Sequence, residues 1–180
     1  MERRRLHTGA LLRAGGGLRL GRRPGDAWLR GRYAGPYLRD ALLDHGAFVE
    51  TLETATSWSN LPALYAAVSD ALRKALSERG TPPLIMCHVS HLYRSGASLY
   101  FTFMARQEPE AALEQWHAVK VAACDAIVAS GGTITHHHAI GRDHAPWLST
   151  EIGSVVVDLI RAAKERLDPA GIMNPGKLLP

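Results

Sequence analysis

The order of elements along this chain predicts an α+β fold, a split βαββαβ (ferredoxin-like) antiparallel sheet covered by helices. Two long stretches, residues 61–79 and 109–130, read as helices, and β-rich runs alternate with them. Glycine or proline pairs punctuate the main junctions. The 180 residues suffice for one domain with a real hydrophobic core.

Residues 36–45 carry Pro36 at the start and Gly46 just past the end, which are helix start and stop signals. Residues 47–55 favour a strand through Phe48, Thr51 and Leu52. Ser59 or Asn60 then caps a helix over 61–79, where Leu64, Ala67, Val68, Ala71, Leu72 and Ala75 share a 3.6-period face. Gly80 and the pair Pro82 and Pro83 end it. Two β-rich runs follow, 84–92 and 97–105, joined by a turn over 93–96 and therefore paired antiparallel. Pro109 opens a helix to about Ser130, and Gly131 and Gly132 stop it before a short strand over 133–136. A last helix over 146–166 precedes a tail from Asp168 to Lys177.

Charge is unevenly spread. The net charge is +4, yet nine arginines fall in the first 32 residues, leaving 12 of the 21 bases against 15 of the 17 acids in the body. No aromatic or helical pattern organises those arginines, so residues 1–32 read as a partly disordered leader, 33–180 as the domain, and nucleic acid is excluded as a partner. Cys87 and Cys124 sit in apolar runs without metal spacing, which points to free buried thiols in a reducing compartment. No window reaches the roughly 18 apolar residues of a membrane span. A cytoplasmic location follows, with contact at a membrane surface left open.

His136, His137 and His138 are the strongest chemical signal. In an extended strand alternate side chains share a face, so His136 and His138 should converge while His137 points away. Such imidazoles serve as a metal pair, an acid/base cluster or anion donors. Zinc is disfavoured, because no Cys or nearby Glu completes a familiar ligand set, and no metal is expected. Tyr100 lies mid-strand among apolar residues, where a phenol is ordinarily core. Arg39 beside Asp40 suits a surface ion pair or a bound anion. His88, His91 and Tyr93 near the hairpin are weaker candidates.

Five segments, 36–40, 49–54 with Trp58, 96–101, 131–138 with Gly141, and 168–176, occur in the same order as in the alkyldihydroxyacetone phosphate synthases, which this chain resembles from about residue 30 to its end. The closing segment is common to FAD-linked oxidases; the triple histidine together with Gly96, Ala97, Tyr100 and Phe101 is more specific. The resemblance implies the C-terminal cap domain of a vanillyl-alcohol-oxidase-type flavoprotein, with FAD as cofactor. It further implies that Tyr100 acts as acid/base, that His136, His137 and His138 surround the reacting carbon and flavin, that His137, His138 and Asn174 contact the cofactor, and that Arg39 binds an anionic group.

The implied reaction exchanges the acyl chain of acyl-dihydroxyacetone phosphate for a fatty alcohol, without net redox change. The implied partners are a phosphorylated or carboxylated substrate with a fatty chain and a FAD-binding domain in cis or trans, since residues 1–35 hold no nucleotide cradle; a homodimer stays open. Two alternatives remain: a FAD-linked oxidoreductase acting on a 2-hydroxy acid or other alcohol, and a non-catalytic cap fragment. For the former, the usual metal-binding His and Glu-His positions are occupied by Tyr100 and by His137 and His138.

Overall fold

A computed structural model describes residues 2–179, with side chains from residue 6 onward. The chain divides into two units, Met1–Ala41 and Leu42–Pro180. The first holds α1 (Glu2–Ala14), α2 (Arg23–Gly31) and most of α3 (Gly35–Asp44). The leader is thus helical in part. Gly15, Gly16 and Gly17 close α1: Gly16 is left-handed at φ 80° and the Gly17 amide donates to the Leu12 carbonyl at 2.7 Å, so the glycine triplet is a helix stop. Arg32 lies over the Tyr33 ring, 4.7 Å from its centroid. The side chains of Arg3, Arg4 and Arg5 lie outside the described residues.

The second unit contains β1 (Ala47–Ser57), α4 (Leu61–Glu78), β2 (Leu84–Leu92), β3 (Gly96–Arg106), a 3-10 turn (Pro109–Ala111), α5 (Ala112–Ala129), α6 (Ala145–Ile152) and α7 (Ser154–Leu167). Among the described residues the sheet is antiparallel and three-stranded, in the order β1-β3-β2. The central place of β3 follows from its sequence: Leu99, Phe101 and Phe103 alternate on one face and are almost wholly buried. They pack with Phe48 and Leu52 of β1, Leu64, Val68, Leu72 and Leu76 of α4, and Val119, Ala123 and Ile127 of α5. Fully burying side chains of this size contributes about 1.5–3 kcal/mol each. The α+β class and the helix-covered antiparallel sheet agree with the sequence reading.

Two expectations need correction. Residues 133–136 do not form a strand. They follow the free edge of β1 through two bonds, the Thr133 amide to the Ala55 carbonyl at 3.0 Å and the His136 amide to the Glu53 carbonyl at 3.0 Å. A ladder fails because side chains hold the segment as well: Glu151 of α6 accepts from the Thr133 hydroxyl at 2.6 Å and the Ile134 amide at 2.7 Å. The last helix is also not continuous, because Gly153 at φ 84° separates α6 from α7. That break lets Leu148 and Val157 meet Leu179 and Ile140 in a second apolar cluster.

The junctions explain several small residues. Gly131, at φ 70°, ends α5, and a Cβ on Gly132 would stand 2.8 Å from the Thr54 hydroxyl and 2.9 Å from Leu64 Cδ1. Asn60 begins α4 without a side-chain cap; its amide instead donates to the Ser130 carbonyl at 2.7 Å, tying α4 to the end of α5. In the tail, the Asp168 carboxylate accepts from the amides of Ile172 and Met173 and from Lys164 Nζ. At Gly96 a Cβ would sit 2.0 Å from the Thr56 carbonyl oxygen, which backbone pairing with β1 prevents from moving away. Gly96→Ala should therefore destabilise the chain by about 3 kcal/mol, the upper end of ordinary single-residue costs, seen as a lowered urea midpoint with an unchanged slope; an unchanged midpoint would contradict the close approach.

Candidate active site

Helices α4 and α5 cover one face of the sheet, and alternation sends Glu53 of β1, Ser98 and Tyr100 of β3, and Met86 and His88 of β2 to the other. The register places Glu53 and His88 on either side of Tyr100 in one cross-strand row. Glu53 is the anomaly on this face, because its residue is only 5% exposed although it is a carboxylate. Burial without partners would be costly, so its partners define the site.

The first partners come from β2, where the alternation that carries Met86 and His88 to this face carries Ser90 there as well, while the irregularity between Val89 and Leu92 brings His91 to the same side. The Ser90 hydroxyl donates to Glu53 Oε1 at 2.6 Å. That leaves Ser98 as donor to Ser90 Oγ, 2.6 Å away, while Ser98 Oγ accepts from the His91 amide at 3.1 Å. The second set comes from the segment clamped by Glu151. His136 Nδ1 lies 3.2 Å from Glu53 Oε1, His138 Nε2 lies 3.6 Å from Oε2, and His91 Nε2 lies 3.9 Å from Oε1. Burial pushes the Glu53 carboxyl up, but the hydroxyl of Ser90, backed by Ser98, and the hydrogen bond and charge of His136 outweigh it and hold the carboxyl below its ordinary value.

The imidazoles are gathered closely. The His136 and His137 rings are 3.9 Å apart, and His91 stands edge-on to His137 at 4.6 Å. The expected alternation, with His137 facing away from its neighbours, is therefore overturned. His137 adopts a left-handed backbone at φ 62°, which breaks the two-residue period of a strand. Two phenols complete the group: Tyr93 hydroxyl lies 3.2 Å from His136 Nε2, and the Tyr100 ring is edge-on to His138 at 5.7 Å. Tyr93 is placed by its turn, where its amide donates to the Gly96 carbonyl at 2.8 Å and its own carbonyl accepts from the Trp58 indole at 3.0 Å.

Of the residues singled out from sequence, Tyr100, His136, His137 and His138 come together with Glu53, His91 and Tyr93. Tyr100 is half-buried on the uncovered face, not part of the helix-packed core. Asn174 lies in the tail, exposed and left-handed at φ 46°, its carbonyl accepting from the Lys177 amide. Arg39 is exposed on α3 in the other unit. Sequence reasoning missed Glu53 as a site residue; alternation with Phe48 and Leu52 puts it on the face away from the core, where a carboxylate ordinarily meets solvent, so no local signal marked it as buried. One ligand atom each from Glu53, His91, His136 and His137 lie within 4.8 Å of one another, a spacing that a cation tolerates. Both thiols are free, and burial pushes Cys87 and Cys124 up to about 11, which keeps them protonated and inert.

The model of the family described as FAD linked oxidases, C-terminal domain, matches residues 19–178. The alkyldihydroxyacetonephosphate synthase of Dictyostelium discoideum is 37% identical over 161 residues, 89% of this chain and 26% of that protein. Its namesake in Trypanosoma brucei brucei is 38% identical over the same shares. A solved alkyldihydroxyacetonephosphate synthase structure superposes with a TM-score of 0.58 at 31% identity, over 88% of this chain and 25% of that one. The chain thus spans about a quarter of the length of these relatives.

Because the folded state holds Glu53 ionised below its ordinary range, its contribution is fully present above the unfolded carboxyl value and is lost as pH falls through the lower folded one. Stability followed by urea titration across the acid range should show wild type ahead of Glu53→Gln by about 1–3 kcal/mol near neutrality. The gap should close on acidification, and a gap that widens in acid contradicts the ionised carboxylate.

Proposed function

The chain belongs to the FAD-linked oxidases through their C-terminal domain, and on that premise we propose that it is the substrate-side cap of a flavoenzyme of alkyldihydroxyacetone phosphate synthase type. The proposed reaction replaces the acyl chain of acyl-dihydroxyacetone phosphate with a fatty alcohol. The observation that carries this reading is the convergence of Tyr100, His136, His137 and His138 on the one sheet face that α4 and α5 leave uncovered.

The residues present fit a flavin. His137 and His138 are exposed ring donors, the latter beside Tyr100, and Met86 offers apolar contact on the same face. Bound FAD supplies an electron-accepting ring; the side chains of this chain bind, orient and move protons. Removing a proton beside a carbonyl calls for a base that titrates near neutrality, which imidazole provides. The Tyr100 phenol, edge-on to His138, is suited to return or accept that proton. Arg39 is the proposed contact for the substrate phosphate, a planar fork that binds such a group bidentately. The proposal includes a cytoplasmic setting at a membrane surface, where fatty substrates reside; among the described residues no helix is long and apolar enough to cross a membrane.

The test joins this chain to a FAD-binding domain of its relatives and follows flavin fluorescence and acyl-for-alkyl exchange. Tyr100→Phe and His137→Ala should each lower exchange by about 10²–10⁴-fold, the range for loss of a proton-transfer group, while the melting midpoint stays near wild type in both and flavin quenching stays near wild type in Tyr100→Phe. Exchange that survives either change removes that residue from its role. A joined protein that binds flavin yet turns over only 2-hydroxy acids, or nothing, would replace the proposal with the oxidoreductase or the non-catalytic cap.

A further inference from the structure

We infer that Glu53 is the positioning residue of the histidine cluster: its buried carboxylate fixes the tautomer of His136 and thereby makes Tyr93 a second phenol in the site, hydrogen-bonded to an imidazole lone pair. This names positioning residues for the site proposed above and rests on that proposal only for calling the site catalytic.

The argument is one of donors and acceptors. An ionised carboxylate only accepts, so the 3.2 Å approach of His136 Nδ1 to Glu53 Oε1 requires the hydrogen on Nδ1. In the neutral ring Nε2 then carries the lone pair, and the hydroxyl of Tyr93, 3.2 Å away, must donate to it. The line Glu53, His136, Tyr93 is therefore a directed chain of hydrogen bonds from a buried carboxylate out to an exposed phenol. If the phenol gives up its proton, the O–H bond breaks as an N–H bond forms at Nε2, and the imidazolium produced sits against the carboxylate, which stays ionised.

The other oxygen of Glu53 makes a second arm. His138 Nε2 is 3.6 Å from Oε2, an ion-pair separation, and the His138 ring is edge-on to Tyr100. One carboxylate thus lies behind two imidazole and phenol pairs. The groups facing it come from every neighbouring element: Ser90 and His91 from β2, Ser98 from β3, His136 and His138 from the segment along β1.

The same side chains have a spacing that a cation would tolerate, but their bonds are already committed. Oε1 accepts from Ser90 and from His136, and both ring nitrogens of His136 are engaged. A metal bound through Oε1 or through His136 would have to break these contacts.

Long-range ¹H–¹⁵N spectra of the whole 180-residue chain, recorded without flavin at a pH where imidazoles are neutral, test the tautomer independently of any turnover. His136 should show hydrogen on Nδ1 over Nε2 by at least about tenfold, the bias that one hydrogen bond to a charged group confers. Glu53→Gln keeps the shape and the Ser90 contact but replaces a charged acceptor with a weaker neutral one and should reduce that bias several-fold. Tyr93→Phe should keep the bias and move the Nε2 resonance toward that of an unbonded imidazole nitrogen. Hydrogen on Nε2 in the wild type, an undiminished bias in Glu53→Gln, or stoichiometric zinc or manganese in the chain by elemental analysis would each overturn the inference. An Nε2 resonance indifferent to Tyr93→Phe would remove Tyr93 from it. Loss of exchange activity in the joined enzyme with these spectra as expected would count against the proposed reaction and leave the positioning role standing.

Discussion

A carboxylate shielded from water must be compensated, and the uncovered side of this sheet is arranged around that requirement. Glu53 is nearly inaccessible, yet it stands opposite Tyr100 on the face that α4 and α5 leave uncovered. Isolated, such a group would protonate or destabilise the fold by several kcal/mol. Two serine hydroxyls and the His136 ring provide the compensation. Regular alternation supplies Ser90 and Ser98, whereas the irregularity in β2 brings His91 to this side and the left-handed backbone at His137 stacks its ring against His136. Regular strands in both places would have sent His91 and His137 to the other side.

The supports behind the histidines are indirect and come from distant parts of the chain. Gly131 and Gly132 let the chain leave α5 and pass tightly against Thr54 and Leu64. Glu151 of α6 then grips Thr133 and Ile134, and the edge of β1 holds Thr133 and His136. The break at Gly153 allows α7 to fold back and bury Val157 beside Leu148. Packing in the second apolar cluster thereby bears on the placement of α6, and through Glu151 on the imidazoles.

Much of the architecture was legible in residue order. The alternation of Leu99, Phe101 and Phe103 and the helical repeat from Leu64 to Leu76 reflect periods that depend on local geometry alone, and the structure keeps both. The turn over 93–96 and the glycines after α5 were likewise readable, because left-handed or close-packed backbone demands glycine wherever it occurs. The short run 133–136 looked like a strand from composition, but a ladder needs a partner with matching free groups. Here Glu151 and the edge of β1 share those amides between them.

By itself, then, the order of residues determined α4, α5, the three paired strands, the apolar alternation of β3 and the presence of three adjacent histidines, since each rests on contacts between near neighbours or on an intrinsic periodicity. Only tertiary structure decided that Glu53, 83 positions before His136, would lie behind those histidines and that Tyr93 would reach one of them. Such meetings are set by strand register, a bulge and a clamp from another helix. No local pattern encodes the partner of a buried charge, because that partner is chosen by whichever distant segments the packing brings within hydrogen-bond reach.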